Sequence, residues 1–192
     1  MSIKIIEGSR REEVKTNVKI GKQKLVEVDE FCNLGSRITS DGRSKKEIIS
    51  RIAQAKRAFH QKRDLLTAGN LNMEVRKQFI RTYIWSMLLY GSEAWTMTAA
   101  EKARIEAFEM WCYRRMMRIK WIDRVSNEGV LRRVGEKRSL MKTLRRRRKY
   151  LIGHILRYDG LMKTIVEGKV EGKNGKGRPR TKYMEQVKKD MK

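Results

Sequence analysis

The sequence predicts a mostly α-helical protein: a small antiparallel β-hairpin region, then a helical bundle, then a basic, partly flexible C-terminal tail. Three observations predict this class. Strand and turn signals are confined to the first 43 residues, apolar residues recur at helical spacing after that point, and a Gly-rich basic stretch precedes the last helical segment. With 40% hydrophobic residues, including 4 Trp and 6 Tyr, the chain has enough apolar surface to fold despite its charge.

The N-terminal region is predicted to form strands and turns. Val18–Ile20 and Leu25–Val28 flank Gly21-Lys22, which is a hairpin signal. A further extended run, residues 31–39, is broken by Gly35, and Asp41-Gly42 then closes the β-rich part. We therefore expect short strands that end before the first helix.

The first two helices are predicted from caps and apolar faces. Ser44 and Glu47 have capping-box spacing, so a helix should begin there and end at Gly69. A second helix should follow the cap candidate Asn72. Because its later part, Tyr83–Tyr90, is largely apolar on every side, we expect that segment at the centre of the bundle.

The next two helices have clear terminal signals. Thr98 and Glu101 repeat the capping-box pattern and open a third helix that runs to about residue 119. A connector over residues 121–136 contains a short helix between the cap candidate Ser126 and Gly135.

A long fourth helix should occupy residues 139–158. Its apolar stripe comprises Leu140, Leu144, Leu151, Ile152 and Ile155. Arg148 interrupts that stripe, a conflict that suggests either a function or an aliphatic stem that reaches across the apolar face to water. Beyond the helix we expect a short strand over residues 165–170, a Gly-rich connection over 172–177 and a short helix over 181–191.

The charge predicts a polyanionic partner. The chain has 47 Lys and Arg against 22 Asp and Glu, and its formal net charge is +25. Of this, +17 falls in residues 97–192, which makes the second half the main expected binding surface. RNA, DNA or an RNA–DNA hybrid is the expected partner. A membrane surface is the competing polyanion, but we expect no membrane partner because the sequence offers no long apolar span.

The predicted nucleic-acid contacts form four groups. The densest group is a run of five basic residues in the fourth helix, and a second is interleaved with Trp111, Tyr113 and Trp121, whose rings could stack on bases. A third lies at the start of the first helix, and a fourth flanks a Gly-Arg-Pro sequence that resembles minor-groove hooks. In full, the candidates are Lys45, Lys46, Arg114, Arg115, Arg118, Arg145, Arg146, Arg147, Arg148, Lys149, Arg178 and Arg180.

No catalytic or metal site is predicted. The six aspartates stand at scattered positions, without the clustered carboxylates that two-metal phosphoryl transfer requires. Cys32 and Cys112 lie far in sequence from His60 and His154, so no zinc site is expected. Cys112 falls on an apolar helical face and should be a buried, inert thiol. We expect the chain alone to be no enzyme and to carry no cofactor.

Six blocks of sequence, in order, are similar to one protein family. They are residues 31–36, 38–42, 88–96, 108–116, 153–157 and 177–180. Together they resemble the C-terminal part of reverse transcriptases from non-LTR (LINE-type) retrotransposons, over nearly the whole chain. The resemblance implies a parent RNA-directed DNA polymerase with Mg²⁺-binding aspartates in the missing fingers and palm, commonly preceded by an endonuclease domain. An intracellular, nuclear location is the corresponding expectation.

The resemblance also implies a division of the chain. Residues 1–43 correspond to the end of the palm, 44–120 to a helical thumb-like domain, 121–160 to a basic helical extension and 161–192 to a basic tail. A primer-grip-like turn would comprise Phe31, Asn33, Leu34 and Gly35. Asn33 stands where the family usually has Tyr, which removes an aromatic ring that could pack beneath the primer strand.

Two other functional interpretations remain open from the sequence. The chain could be a free-standing nucleic-acid-binding protein derived from the element, or a degenerate fragment without retained activity. Cooperative folding would favour the former and poor folding the latter. A basic membrane-surface protein is a weaker alternative.

Overall fold

The computed structural model describes residues 4–5, 19–20, 22–24, 26–167 and 183–191, and it is mostly α-helical, as predicted. The α-helices of this part of the chain are α1 (Lys45–Gln61), α2 (Arg63–Thr67), α3 (Met73–Phe79), α4 (Trp85–Leu88), α5 (Ala99–Met116), α6 (Asn127–Val134), α7 (Leu140–Arg157), α8 (Leu161–Glu167) and α9 (Tyr183–Met191). The predicted Gly-rich connection at 172–177 lies outside the described residues.

Short strands precede the helices. β1 (Lys4–Ile5) pairs in parallel with β4 (Val26–Glu27), and β2 (Lys19–Ile20) pairs antiparallel with β3 (Gln23–Lys24). The β2–β3 pair lies at the predicted hairpin, although its second strand starts before residue 25. β5 (Glu30–Asn33) and β6 (Ser36–Thr39) form a second antiparallel hairpin.

The β5–β6 hairpin is attached to the helices at its tip. Asn33 pairs with Ser36, which leaves a two-residue turn of Leu34 and Gly35. Both have positive φ, 48° and 77°, as a type I′ turn requires. The Tyr90 hydroxyl donates to the Leu34 carbonyl at 3.0 Å, and the Arg51 guanidinium donates to the Gly35 carbonyl at 2.5 Å. The turn is therefore fixed to α1 and to Tyr90, two residues after the end of α4.

The predicted capping box at the start of α1 is wrong, although the helix begins where expected. The Ser44 hydroxyl accepts from the Thr96 N–H at 3.2 Å and makes no cap bond. Glu47 is buried, accepts from the Arg37 N–H at 2.8 Å and pairs with the Arg51 guanidinium at 2.7 Å. Other partners, two of them outside α1, thus take both side chains that a local box would use.

The second predicted helix contains a π-helical turn and is less buried than expected. Asn72 caps α3 by accepting from the Glu74 N–H at 2.9 Å, as predicted. A π-helical turn over Ile80–Ile84 joins α3 to α4. Tyr83 and Tyr90 are 36% and 49% exposed, so the segment that looked apolar on every side buries only one face.

Local signals at the later helices agree with the structure, except at α8. Glu101 accepts from the Thr98 N–H at 2.6 Å, and Ser126 accepts from the Gly129 N–H at 3.0 Å. Instead of the strand predicted from residue 165, residues Leu161–Glu167 form α8. The helical turn that begins at Leu161 continues through the β-branched pair at 165–166, so helix propagation overrides strand propensity there.

A single hydrophobic cluster holds α1 to α7 together. It includes Ile48 in α1, Leu88 in α4, Phe108 in α5, Val130 in α6 and Leu144 in α7. Cys112, in the same cluster, is fully buried, as predicted, and burial raises the pKa of its thiol well above the usual range. The start of α7 is fixed by the buried Glu109 of α5, whose carboxylate accepts from the N–H groups of Ser139 and Leu140 at 2.8 and 3.0 Å.

Candidate nucleic-acid interface

The fold turns the basic run of α7 in different directions, and Arg148 points inward. Its side chain is 0% exposed. One guanidinium nitrogen donates to an Asp190 carboxylate oxygen at 2.5 Å, and another donates to the Trp95 carbonyl at 2.7 Å. A buried, paired guanidinium cannot reach a ligand phosphate. Arg148 is therefore not available as a phosphate contact, contrary to the prediction. Its stem does not carry the guanidinium to water either, because the charged group is buried and paired inside the protein.

The partner of Arg148 belongs to the last helix, which packs on α7. Gln186 donates to the Met97 carbonyl at 2.8 Å and accepts from the Met97 N–H at 3.0 Å. The Tyr183 hydroxyl donates to the Glu93 carbonyl at 2.8 Å, and burial raises the pKa of that phenol. Val187 is fully buried. The final helix is thus part of the helical body.

Two neighbours of Arg148 are partly engaged by the protein itself. Arg145 lies 3.4 Å from the Asp190 carboxylate. Arg147 donates to the Leu89 carbonyl at 3.0 Å and lies 3.6 Å from the Glu93 carboxylate. Both side chains remain 40–45% exposed, so each can still contribute charge to the surface.

The remaining basic side chains of α7 share one solvent-facing stripe. At about 100° per residue, positions 142, 146, 149 and 157 fall within a narrow arc of the helix. Lys142, Arg146 and Arg157 are exposed and Lys149 is partly exposed. Among the described residues, no carboxylate pairs with any of them, unlike Arg145, Arg147 and Arg148. We call Lys142, Arg146, Lys149 and Arg157 the α7 stripe.

Two members of the α7 stripe, Lys142 and Arg157, were missed from the sequence. Their signal was available as the spacing i, i+4, i+7 and i+15, which marks a single helical face. Gly153 lies at the centre of the same arc, and a Cβ built there would meet no atom within 4 Å.

The second predicted group divides in a similar way. Arg114 donates to the Val125 carbonyl at 2.7 Å and to the Asn127 side chain at 3.0 Å, so it fastens a loop. Arg115 is exposed and lies 5.6 Å from the centre of the Trp111 ring. Arg118 is exposed. Of the three aromatic residues, Tyr113 is buried, Trp111 is half-buried, and only Trp121 presents its ring to solvent.

The other predicted site residues lie at separate places. Lys45 and Lys46 are exposed at the start of α1, where Lys46 pairs with Glu30 at 3.1 Å. The primer-grip-like residues Phe31, Asn33, Leu34 and Gly35 form the exposed end of the β5–β6 hairpin, with Leu34 83% exposed. Arg178 and Arg180 lie outside the described residues.

The described part of the chain offers no group of three or more His, Cys, Asp or Glu side chains arranged to hold a metal ion. Likewise, none of its helices is both long and apolar enough to span a bilayer. Comparison with known proteins gives no match to a family model, a curated protein or a solved structure.

Proposed function

We propose that this chain is a nucleic-acid-binding C-terminal fragment of a non-LTR retrotransposon reverse transcriptase. In this proposal it holds the template–primer duplex by its phosphates while a palm and fingers outside this chain supply the Mg²⁺-dependent polymerase site. The chain alone would carry no catalytic residue. The family assignment depends on the six ordered sequence blocks.

The observation that carries the binding proposal is the α7 stripe. Four basic side chains share one helical face, and the described carboxylates leave them unpaired while they neutralise the neighbouring arginines. An array of cations at helical spacing suits the regular phosphates of a duplex, and it carries no base-specific information. Binding should accordingly depend on charge and duplex shape, and RNA–DNA hybrid is the natural ligand of the parent polymerase.

The test is to replace Lys142, Arg146, Lys149 and Arg157 with Ala and to measure affinity for duplexes as a function of salt. Each lost phosphate contact should reduce the log–log salt slope by about 0.9 on B-form DNA, so loss of all four should reduce it by roughly 3–4. The reduction should be similar for unrelated sequences. An unchanged slope with a folded variant would refute the role of the stripe.

A matched control separates contact from net charge. Lys62, Arg63, Arg132 and Arg133 are exposed basic residues of the α1–α2 junction and of α6. Their replacement with Ala removes the same charge from other surfaces, and we expect it to change the salt slope by less than half as much. Equal effects of the two variants would mean that only overall charge matters.

One observation also favours the free-standing alternative. Buried apolar residues of this chain form a single cluster that extends from Ile48 to Leu144. A chain with its own core should unfold in one cooperative transition when expressed alone. A reading frame upstream that encodes an aromatic-x-Asp-Asp segment in phase would instead favour the polymerase fragment.

A further inference from the structure

The segment that follows α5 has a constrained and unusual backbone. Arg118 and Arg124 both adopt left-handed conformations, with φ of 54° and 48°. Residues other than Gly seldom adopt that region, and its cost must be met by surrounding structure. Between them, Trp121–Asp123 form a 3₁₀ turn. The segment 118–124 therefore begins and ends at a residue with a strained backbone.

Hydrogen bonds and packing fix this shape at both ends. The Ile119 N–H donates to the Arg114 carbonyl at 2.9 Å, and the Lys120 N–H donates to the Asp123 carboxylate at 2.7 Å. Ile119 and Val125 pack against the hydrophobic cluster, and the Arg114 guanidinium binds the Val125 carbonyl. The fold thus orders the segment without using the side chain at its tip.

That tip carries the most exposed aromatic side chain among the described residues. Trp121 is 94% exposed, and its neighbour Ile122 is 77% exposed. By contrast, Trp85 and Trp95 are 3% and 4% exposed. Trp121 and Ile122 thus present two adjacent apolar side chains to water, and contiguous exposed apolar surface is typical of binding sites.

The charges around Trp121 indicate which ligand it takes. Arg118, Lys120 and Arg124 are all exposed, and no described carboxylate forms a salt bridge with any of them. The one acidic residue of the turn, Asp123, is already hydrogen-bonded to the backbone. An exposed aromatic ring with cations one to three residues away on the same turn suits a base together with its phosphates, because the ring stacks on the base and the cations bind the backbone. Bases in the interior of a duplex cannot offer a free face.

We propose that Trp121 is a stacking site for an unpaired nucleobase, with Arg118, Lys120 and Arg124 as its phosphate contacts. This inference extends the proposed function from duplex phosphates to single-stranded nucleic acid at the edge of the duplex. The observation that supports this inference, the exposed Trp121 ring on the turn after α5, is independent of the α7 stripe.

The test compares three ligands: a blunt duplex, the same duplex with a single-stranded overhang, and the same overhang with abasic sites. Trp121→Ala should lower the affinity for the base-containing overhang by about 5- to 150-fold. Its affinities for the blunt duplex and for the abasic overhang should stay unchanged. Trp121→Phe should retain most of the affinity. A 2-aminopurine in the overhang should be quenched by the wild type and not by Trp121→Ala.

Three outcomes would overturn the inference. They are an unchanged affinity of Trp121→Ala for the base-containing overhang, an equal loss for all three ligands, and tight overhang binding that survives removal of the bases. Failure of the proposed function would look different. If the α7-stripe variant keeps its duplex affinity while Trp121→Ala loses affinity for the overhang, the stacking site is supported and the role of the α7 stripe in duplex binding is not.

Discussion

Replacing Arg148 with Met should destabilise the protein strongly, whereas the same change at Arg146 should not. Arg148 is fully buried and bonded to Asp190 and to the Trp95 carbonyl, while Arg146, two residues earlier, is exposed on the α7 stripe. The two substitutions are chemically identical and lie in one helix. A difference in stability between the two variants therefore reports on the environment of the replaced side chain.

The magnitude follows from what Met would leave behind. Asp190 has a side chain only 5% exposed, so it would remain as a buried carboxylate without its closest cation. Removing one partner of a buried pair costs about 3–5 kcal/mol. Surface substitutions such as Arg146→Met stay within about 0.5 kcal/mol. With a urea slope of about 2 kcal/mol/M, the Arg148→Met midpoint should fall by about 1.5–2.5 M.

The assay is urea unfolding followed by far-UV circular dichroism, combined with duplex binding below the transition. The two variants should show opposite phenotypes: Arg148→Met should lose stability and keep its salt slope, and Arg146→Met should keep stability and lose about 0.9 from that slope. If Arg148→Met unfolds within 1 kcal/mol of Arg146→Met, the burial and pairing described for Arg148 are wrong.

Three further predictions follow from single sites. Gly153→Ala should raise stability by about 0.5–1 kcal/mol, because a Cβ there meets no atom within 4 Å and helical Gly is costly; a lower melting temperature would contradict this. Glu109 is buried, and burial raises the pKa of its carboxyl above its ordinary 4.5. Folding therefore favours its protonated form, so the contribution of Glu109 to stability should fall as pH rises from 4.5 through the raised pKa. Urea unfolding across this pH range should show that Glu109→Gln lacks this pH-dependent contribution to stability. Identical stability–pH profiles for the wild type and Glu109→Gln would contradict the prediction. Gly91→Ala should cost more than Gly42→Ala, since both positions have positive φ but only at Gly91 would the Cβ approach another atom, Ser36 Oγ at 2.9 Å; equal melting temperatures would contradict this.

Local signals predicted most helix boundaries because they act over a few residues. Asn72 and Ser126 cap their helices through neighbouring N–H groups, and Gly135 ends α6 with φ of 69°. The capping box predicted at Ser44 is absent for the converse reason: its hydroxyl and the Glu47 carboxylate accept hydrogen bonds from other segments of the chain. A capping pattern predicts the start of a helix more reliably than it predicts the bond.

The candidate site was predictable in kind and not in detail. Net charge and helical content indicated a basic helical surface, and the apolar stripe of α7 correctly marked Arg148 as anomalous. Its partner Asp190 lies 42 residues later in a different helix, so no local rule could pair them. The exposure of Trp121 depends on the left-handed Arg118 and Arg124, a conformation that arginine does not signal in a sequence.

Arg148 raises the question of why a charged residue occupies a core position. Apolar residues in place of a buried ion pair are often neutral or stabilising, and the Arg148 Nε has no hydrogen-bond partner among the described atoms, so this pair is not optimally satisfied. The Arg148–Asp190 pair differs from an apolar contact because its hydrogen bonds require a defined geometry. Leu would pack on any apolar surface, whereas Arg148 requires the Asp190 carboxylate and the Trp95 carbonyl at fixed positions, which sets the register of α9 on α7. The double variant Arg148→Met/Asp190→Leu should therefore recover most of the stability lost by Arg148→Met. If register is what the pair provides, amide hydrogen exchange in α9 should remain faster than in the wild type despite that recovery.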